Sequence, residues 1–185
     1  MNTIPPHVDG KLRQFKRLVL SYADFKHAKL AATYILDENL HQKYPQESYV
    51  LLEALNCSMI LAYCRPFSGN DAGIPAKVPD LPTRILRVLN AEEREVHSAV
   101  MADRNKVLAH SDSDALNLDP VIWQVSGHDI VVPYKNWGLA PLNHQATTVF
   151  RSAADKLLRA SIEERMLLEP DIKPYFRVEA IERAE

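Results

Sequence analysis

QESYVLLEALNCSMILAYC, residues 46–64, is the most regular stretch of the chain, and its pattern indicates the class of fold. Apolar side chains recur in it every three or four positions, as a broad stripe made of Tyr49, Leu52, Leu55, Met59, Ile60 and Tyr63. Such a stripe is typical of a helix that buries one face in a core. Residues 46–64 are therefore predicted to form a core helix, which would pair antiparallel with the segment before Pro45.

The preceding segment has the same helical period. From Lys11 to about Gln42, apolar residues again recur at intervals of three and four. This pattern predicts one long helix, or two consecutive helices with a break near Ser21. Residues 1–10 contain two adjacent prolines and a glycine, and they are predicted to form an extended N-terminal arm.

The following segment is rich in residues that break regular structure. Residues 65–82 hold four of the twelve prolines and two of the five glycines, which predicts a long loop. Loops of this length are uncommon in compact domains unless they are functional or disordered. Beyond the loop we expect a short helix from Thr83 to Leu89, capped by Asp80 or Thr83. A longer helix is expected from Ala91 to about Ala109, because acidic residues crowd its first turn, where the helix dipole favours them.

Two short β-rich runs, Val121–Val125 and Asp129–Pro133, flank the turn residues Ser126-Gly127-His128 and predict a β-hairpin. Helical periodicity then returns from Pro141 to Leu168, and Pro170 is expected to end that helix. The chain is thus predicted to be mainly α: an up-and-down helical bundle with a small β-hairpin before its last long helix.

Length and composition suit one domain over residues 1–168 and a C-terminal tail over 169–185, whose aromatic residues would dock on the body or on a partner chain. Apolar residues make up 46% and charged residues 25%, which excludes disordered and collagen-like classes. The net charge of −2 gives no overall attraction for nucleic acid, so RNA binding would need a local patch. We find no secretory leader and no apolar run of about 18 residues, and therefore expect no membrane association and a cytoplasmic location.

The stretch RNKVLAHSD, residues 104–112, ends the helix expected over residues 91–109. On an ideal helix, Val96, Val100 and Val107 define the buried stripe. Groups able to carry charge lie on or beside that stripe, namely His97, Asp103, Arg104 and His110. A polar group on a buried face costs about 1 to 3 kcal/mol unless it is hydrogen-bonded. The stretch is therefore expected to border an interface or a cleft.

This stretch resembles the RNase motif of the HEPN superfamily. That motif is an Arg followed by a polar residue, and then by a His four to six positions later, at the end of the third main helix of a small bundle. Arg104, Asn105 and His110 match that pattern. The resemblance covers about nine residues directly, and the order of helices is compatible over a longer range. It implies a homodimer whose motif helices face each other and form a composite, metal-independent site that cleaves RNA. It also implies a role in stress response or phage defence, with a cognate antitoxin or partner protein.

The residue types suit this chemistry independently of the resemblance. A His has an ordinary pKa near 6.5 and can move protons at neutral pH, so His110 is the candidate general acid or base. A guanidinium binds the negative charge that gathers on a phosphorane-like transition state, which is the role expected for Arg104. Asn105 would contact phosphate or orient His110. Ser111, Asp112 and Arg65 are expected to bind substrate or to support the imidazole. No metal or other cofactor is expected, because HSDSD lacks a complete ligand set.

Each of these residues also has an ordinary structural interpretation. His110 could interact with the helix dipole, Arg104 could form an intramolecular salt bridge, Arg65 could cap a helix end, and His97 could be a satisfied, partly buried histidine. The basic cluster on the first helix would be a solvated face or would guide RNA; it comprises Lys11, Arg13, Lys16 and Arg17. The cysteines Cys57 and Cys64 are expected to be unbridged core residues.

Two other classes of function remain open from the sequence. The first is a non-catalytic HEPN-like module that binds a partner protein or a nucleotide and uses the motif structurally. The second is a helical bundle that binds a small molecule in a pocket under the loop of residues 65–82.

Overall fold

The computed structural model describes residues 5–43, 46–68, 78–104, 118–135 and 140–176. Among them are the long helices α1 (Pro6–Asp37), α2 (Gln46–Cys64), α3 (Ala91–Asp103) and α4 (His144–Ile172), and the strands β1 (Leu118–Val125) and β2 (His128–Lys135). Short 3₁₀ turns cover Leu40–Gln42, Arg65–Phe67, Thr83–Val88 and Lys173–Tyr175. The predicted fold class, a mainly-α bundle with a hairpin before its last long helix, is confirmed.

Helix α1 begins earlier than the sequence predicted. It starts at Pro6 with Pro5 in extended conformation, so residues 6–10 are not part of an extended arm. Proline is compatible with the first turn of a helix because the N–H group it lacks would have no partner there. The helix is continuous through Ser21, whose hydroxyl donates to the Arg17 carbonyl at 2.8 Å and is thereby satisfied inside the bundle. One long helix, rather than two, is therefore the correct alternative.

The helices pack around a core of aromatic and aliphatic side chains. Salt bridges join Lys11 to Asp171 and Lys29 to Asp155, so α1 and α4 run antiparallel. In the core, the Tyr63 ring of α2 lies 5.7 Å from the Phe25 ring of α1 and 4.8 Å from the Phe150 ring of α4. All three rings are completely buried. Burial of each such side chain contributes about 1.5 to 3 kcal/mol, so these aromatic contacts hold three helices together.

The start of α3 is defined by a reciprocal cap. The Asn90 side chain accepts a hydrogen bond from the Glu93 backbone N–H, and the Glu93 carboxylate accepts one from the Asn90 backbone N–H, both at 2.8 Å. The predicted acidic first turn is thus confirmed, and Glu93 has a specific structural role in it. The caps predicted for the short helix before α3 are wrong, because that segment is a 3₁₀ turn that follows Pro82 and has no side-chain cap.

Helix α4 begins after Asn143, whose side chain accepts a hydrogen bond from the Ala146 backbone N–H. It does not end before Pro170, as predicted, but continues to Ile172. A proline this close to a helix end removes one backbone hydrogen bond. The last turn is held by other contacts, since Ile172 is buried and Asp171 pairs with Lys11. The predicted domain boundary at residue 168 therefore falls inside a helix.

The hairpin has the turn that its sequence predicted. Ser126 and Gly127 occupy the two central positions with φ of 52° and 79°, the left-handed region that such turns require. The strands are longer than predicted and pair in register from Leu118 opposite Lys135 to Val125 opposite His128. Within the described residues, neither strand packs substantially against a helix. In the described part of the chain, the hairpin's contacts are therefore mainly between its own two strands.

By length and composition alone, one described helical stretch, Ser48–Phe67, could cross a membrane. No stretch of this kind was expected from the sequence. Its 18-residue apolar window is 44% buried within the bundle, and it supplies the core residue Tyr63. The stretch thus contributes to the core of the bundle while leaving part of its apolar window exposed.

Candidate functional site

The C-terminal end of α3 carries the first residue of the RNKVLAHSD stretch. Val100 is completely buried and Val96 packs partly against the core, which confirms the predicted apolar stripe in its described part. Asp103 and Arg104 are both half-buried. Arg104 is the C-cap of α3 and keeps helical geometry, with φ of −57° and ψ of −44° and its backbone N–H directed at the carbonyls of Val100 and Met101.

This end of α3 lies against the end of α2. The Cys64 thiol donates a hydrogen bond to the Val100 carbonyl at 3.6 Å. Burial raises the pKa of the Cys64 thiol to about 12, while the positive charge of Arg104 lowers it and the negative charge of Asp103 raises it. Arg104 and Asp103 are therefore both within electrostatic reach of Cys64. The thiol itself is protonated and buried, which agrees with the core role predicted for it.

His97 lies on α3 about two turns before Arg104. Its Nδ1 is 3.2 Å from the Tyr63 hydroxyl, and its ring lies edge-on to the Phe67 ring at 5.0 Å. Burial lowers the pKa of His97, so the ring is neutral at pH 7. His97 is thus partly buried and has a hydrogen-bond partner, as expected if its role is structural rather than catalytic. Its partner Tyr63 was not identified from the sequence as a member of this cluster.

Arg65 follows α2 directly and reaches back to α1. Its side chain is 65% exposed, and its Nη1 donates to Asp24 Oδ1 at 3.3 Å. Burial raises the pKa of Asp24, and the hydrogen bond and charge of Arg65 partly offset that rise. Arg65 thus links two helices rather than capping α2, and its predicted contact with substrate stays a prediction.

The basic cluster predicted on α1 is a solvated face only in part, since Lys16 is exposed and Arg17 is buried. Arg17 is only 5% exposed, and its guanidinium donates to the carbonyls of Pro79 and Val78. It thereby fixes the end of the long loop against α1. Lys11 and Arg13 pair with Asp171 and Asp9. Three of the four cations are thus engaged with the protein itself, and guidance of RNA by the cluster stays a prediction.

Several predicted site residues, Asn105, His110, Ser111 and Asp112, lie outside the described residues, as does Val107 of the apolar stripe. Of the predicted catalytic set, Arg104 is the member for which geometry can be given. In the described part of the chain, no group of three or more His, Cys, Asp or Glu side chains is arranged to hold a metal ion.

The described part of the site is a junction of three helices. Arg104 extends from α3, Arg65 follows α2 and pairs with α1, and an aromatic cluster around His97 fills the space between α2 and α3. Compared with known proteins, the chain matches no protein-family model, no curated protein and no solved structure.

Proposed function

We propose that this protein is a HEPN-like, metal-independent endoribonuclease that acts as a homodimer in the cytoplasm, in stress response or phage defence. The observation that carries the proposal is the position of Arg104. It opens the RNKVLAHSD stretch, it lies half-buried at the C-cap of α3, and its charge lowers the pKa of the Cys64 thiol at the end of α2. Its guanidinium carries a fixed positive charge and a planar set of N–H donors, which suit a phosphate anion.

The reaction would use the RNA's own 2′-hydroxyl as nucleophile. His110 accepts the proton of that hydroxyl, the 2′-oxygen forms a bond to phosphorus, and the bond from phosphorus to the 5′-oxygen breaks. The departing 5′-oxygen takes a proton from a second acid, for which the His110 of a second copy is the candidate. The products are a 2′,3′-cyclic phosphate and a 5′-hydroxyl end.

Arg104 would stabilise the charge that develops on the phosphate oxygens. Its guanidinium presents N–H donors in a fixed planar arrangement, which suits two oxygens of one phosphate. Removing one such donor from an acyl-transfer site costs about 10² to 10³ in rate, and we expect a loss of the same order here. Arg104→Lys retains the charge without the paired donors, so it should recover only part of the rate.

The proposal is tested by incubating labelled single-stranded and structured RNAs with the protein in EDTA. The parent protein should produce 2′,3′-cyclic phosphate ends, and Arg104→Ala and His110→Ala should reduce cleavage at least about 100-fold. Arg94→Ala is the matched control, since Arg94 is an exposed arginine on the same helix. Full cleavage by a folded His110→Ala protein would refute the mechanism.

A second candidate function is a non-catalytic HEPN-like module that binds a partner protein or a nucleotide. It is favoured by the apolar side chains that the hairpin exposes, among them Ile122 at 70% and Trp123 at 54%. Under this alternative, no RNA is cleaved and the Arg104→Ala protein is destabilised. A cognate antitoxin or partner protein, a candidate under either function, would then be sought by its binding to the parent protein.

A further inference from the structure

One face of the hairpin is apolar and uncovered. In the observed register, Trp123 lies opposite Ile130, Val121 opposite Val132 and Val125 opposite His128, and these six side chains share one face. Trp123 is 54%, Val125 48% and Ile130 47% exposed. We name this surface the hairpin face. The opposite face is mixed: it pairs Ile122 with Val131, which are 70% and 67% exposed, and the polar Gln124 with Asp129.

An isolated two-stranded hairpin is at best marginally stable in water, and it usually requires a partner that covers its apolar face. The described helices of the same chain do not provide this cover, because neither strand packs substantially against them. Trp123 belongs to the residue type most enriched at the energetic centres of protein interfaces. The hairpin face therefore has the properties of a contact surface.

Helix α1 carries a second uncovered apolar surface. Val19, Leu20, Leu30 and Tyr34 are 41% to 56% exposed, and on a helix they lie within roughly 100° of one another. The exposed Ala23 and His27 lie between them, and the exposed Lys16 lies one turn before Val19 on the same side, so the surface is mainly apolar with two basic groups. We name this surface the α1 stripe. It points away from the core residues of the same helix, such as Phe25 and Ala28, which are completely buried.

We propose that a second copy of this chain covers both surfaces by reciprocal exchange, with the hairpin face of each copy lying on the α1 stripe of the other. The arrangement has twofold symmetry and contains two identical contacts, as is usual for homodimers. A sheet packed on a helix is also a standard layer arrangement within domains. The inference names the contact surfaces of the homodimer in the proposed function, but it does not depend on RNA cleavage.

The exposed areas favour this exchange over pairing of like surfaces. From the exposed fractions, the hairpin face and the α1 stripe each offer roughly 350 to 400 Å² of apolar surface. Exchange buries both surfaces on both copies, or roughly 1,500 Å² in total, which is the size of a standard stable interface. Hairpin-to-hairpin or helix-to-helix pairing would bury about half of that area and leave the other surface exposed.

Dimensions and charge are also compatible with the exchange. The α1 stripe from Val19 to Tyr34 is about 22 Å long, and the apolar part of β1 from Val121 to Val125 is about 16 Å long. Among the described side chains of the hairpin face, His128 alone can carry a charge. A surface without Lys or Arg is unsuited to nucleic acid, so a protein surface is the better partner.

The contact surfaces are separate from the motif helix. The exposed residues of α3 are polar or alanine, for example Arg94, Glu95, Ser98 and Ala102, and no large apolar side chain is exposed along its described length. The described part of α3 therefore offers little apolar area for an interface.

The test measures mass in solution by sedimentation and light scattering, without RNA, for the full chain and two variants. The parent should have twice the 21.0 kDa mass of one chain. Ile130→Lys in the hairpin face and Leu30→Glu in the α1 stripe should each weaken association at least about tenfold. Val131→Lys on the opposite hairpin face and Leu167→Glu on α4 are matched controls, since both residues are more than 60% exposed. These two variants should remain dimeric.

Mixing the two interface variants gives the decisive result. In a mixed dimer, one contact pairs the lysine introduced by Ile130→Lys with the glutamate introduced by Leu30→Glu, and the other contact is entirely parental. The mixed dimer should therefore form at least about tenfold more tightly than the dimer of either variant alone.

Three outcomes overturn the inference. The first is a parent protein that is monomeric at all concentrations. The second is dissociation in one variant alone, which indicates pairing of like surfaces, and the third is a mixture that stays monomeric. A dimer that does not cleave RNA refutes the proposed function alone. A dimer that cleaves RNA and stays intact in both interface variants refutes the exchange alone, whereas a monomer that cleaves RNA refutes both the exchange and the homodimeric mechanism.

Discussion

Replacing Glu93 by Gln should destabilise the protein by about 3 kcal/mol, because this one carboxylate connects the start of α3 to α4. Glu93 is only 2% exposed, and its oxygens accept hydrogen bonds from the Asn90 backbone N–H, the Ser152 hydroxyl and the Lys156 ammonium, all at 2.8 Å. Gln retains the volume but offers one acceptor oxygen where the carboxylate offers two. Hydrogen bonds to charged groups contribute about 1.5 to 3 kcal/mol each, and the helix cap about 1 kcal/mol. Because Gln can keep part of the cap at Asn90, we expect the free energy of unfolding to fall by about 3 kcal/mol.

The assay is urea unfolding at pH 7 with linear extrapolation, together with a thermal melt that should shift by about 6 to 12 °C. Glu92→Gln is the matched control, since Glu92 is exposed and accepts one hydrogen bond, from Gln145 at 3.2 Å. The control should change the free energy of unfolding by less than about 0.5 kcal/mol. Equal effects of the two substitutions would refute the role assigned to Glu93.

The same network predicts a pH dependence. Burial raises the pKa of Glu93, but hydrogen bonds from Lys156, Asn90 and Ser152 outweigh it, so the pKa in the folded protein lies below its usual value. A carboxyl with a lowered folded pKa stabilises the protein above its unfolded pKa, near 4.3, and this stabilisation is lost as pH falls through the folded pKa. The difference between parent and Glu93→Gln should therefore be largest at neutral pH and shrink in acid. A difference that is constant down to pH 3 would contradict this reasoning.

Three further predictions concern the junction and the loop. Arg17→Met should lower the free energy of unfolding by about 2 kcal/mol in urea titrations, because two loop carbonyls lose their donor, whereas the exposed Lys16→Met should have little effect. At pH 7.5, iodoacetamide should label Cys64 only at the rate of global unfolding, since the thiol is buried with a pKa of about 12; rapid labelling of the folded protein would contradict this. Burial lowers the pKa of His97 in the folded protein below the unfolded value of about 6.5, so the free energy of unfolding should fall as pH drops from 7.5 to 5.5. In His97→Gln, the free energy of unfolding should depend less on pH. Identical pH dependences in parent and variant would argue against this assignment.

The helices that follow a single apolar stripe were predictable from the sequence. The bounds predicted for α2 agree with the structure, and the hairpin turn follows from Gly127, which adopts the positive φ that the turn requires. The errors occurred where local rules for proline were applied without tertiary contacts. Pro6 lies in the first turn of a helix, and Pro170 is tolerated inside one because the buried Ile172 and the paired Asp171 hold the turn beyond it.

The partners within the candidate site were not predictable in this way. Tyr63 and His97 are 34 residues apart, and Arg17 lies 62 residues from the carbonyl of Pro79. Periodicity reports which face of an element is buried, but it carries no information on which side chains meet across two elements. The sequence therefore identified Arg17 as one of four basic residues on a helix, although its surroundings make it a buried structural residue.

The two ends of helix α3 are held by different kinds of contact. A substitution at the N-terminal end can therefore lower the stability of the protein without removing the guanidinium of Arg104 at the other end. The N-terminal end depends on a charged network around Glu93, whereas the C-terminal end depends on apolar packing of Val100 near Cys64. Substitution of Glu93 acts on the whole molecule, since the network joins α3 to α4. Well below the melting temperature, the Glu93→Gln protein remains folded and still presents Arg104. Its rate of RNA cleavage should then stay near the parental rate, whereas Arg104→Ala loses the rate without losing the fold. Equal loss of rate in both proteins at low temperature would mean that the position of α3, rather than the guanidinium, limits the reaction.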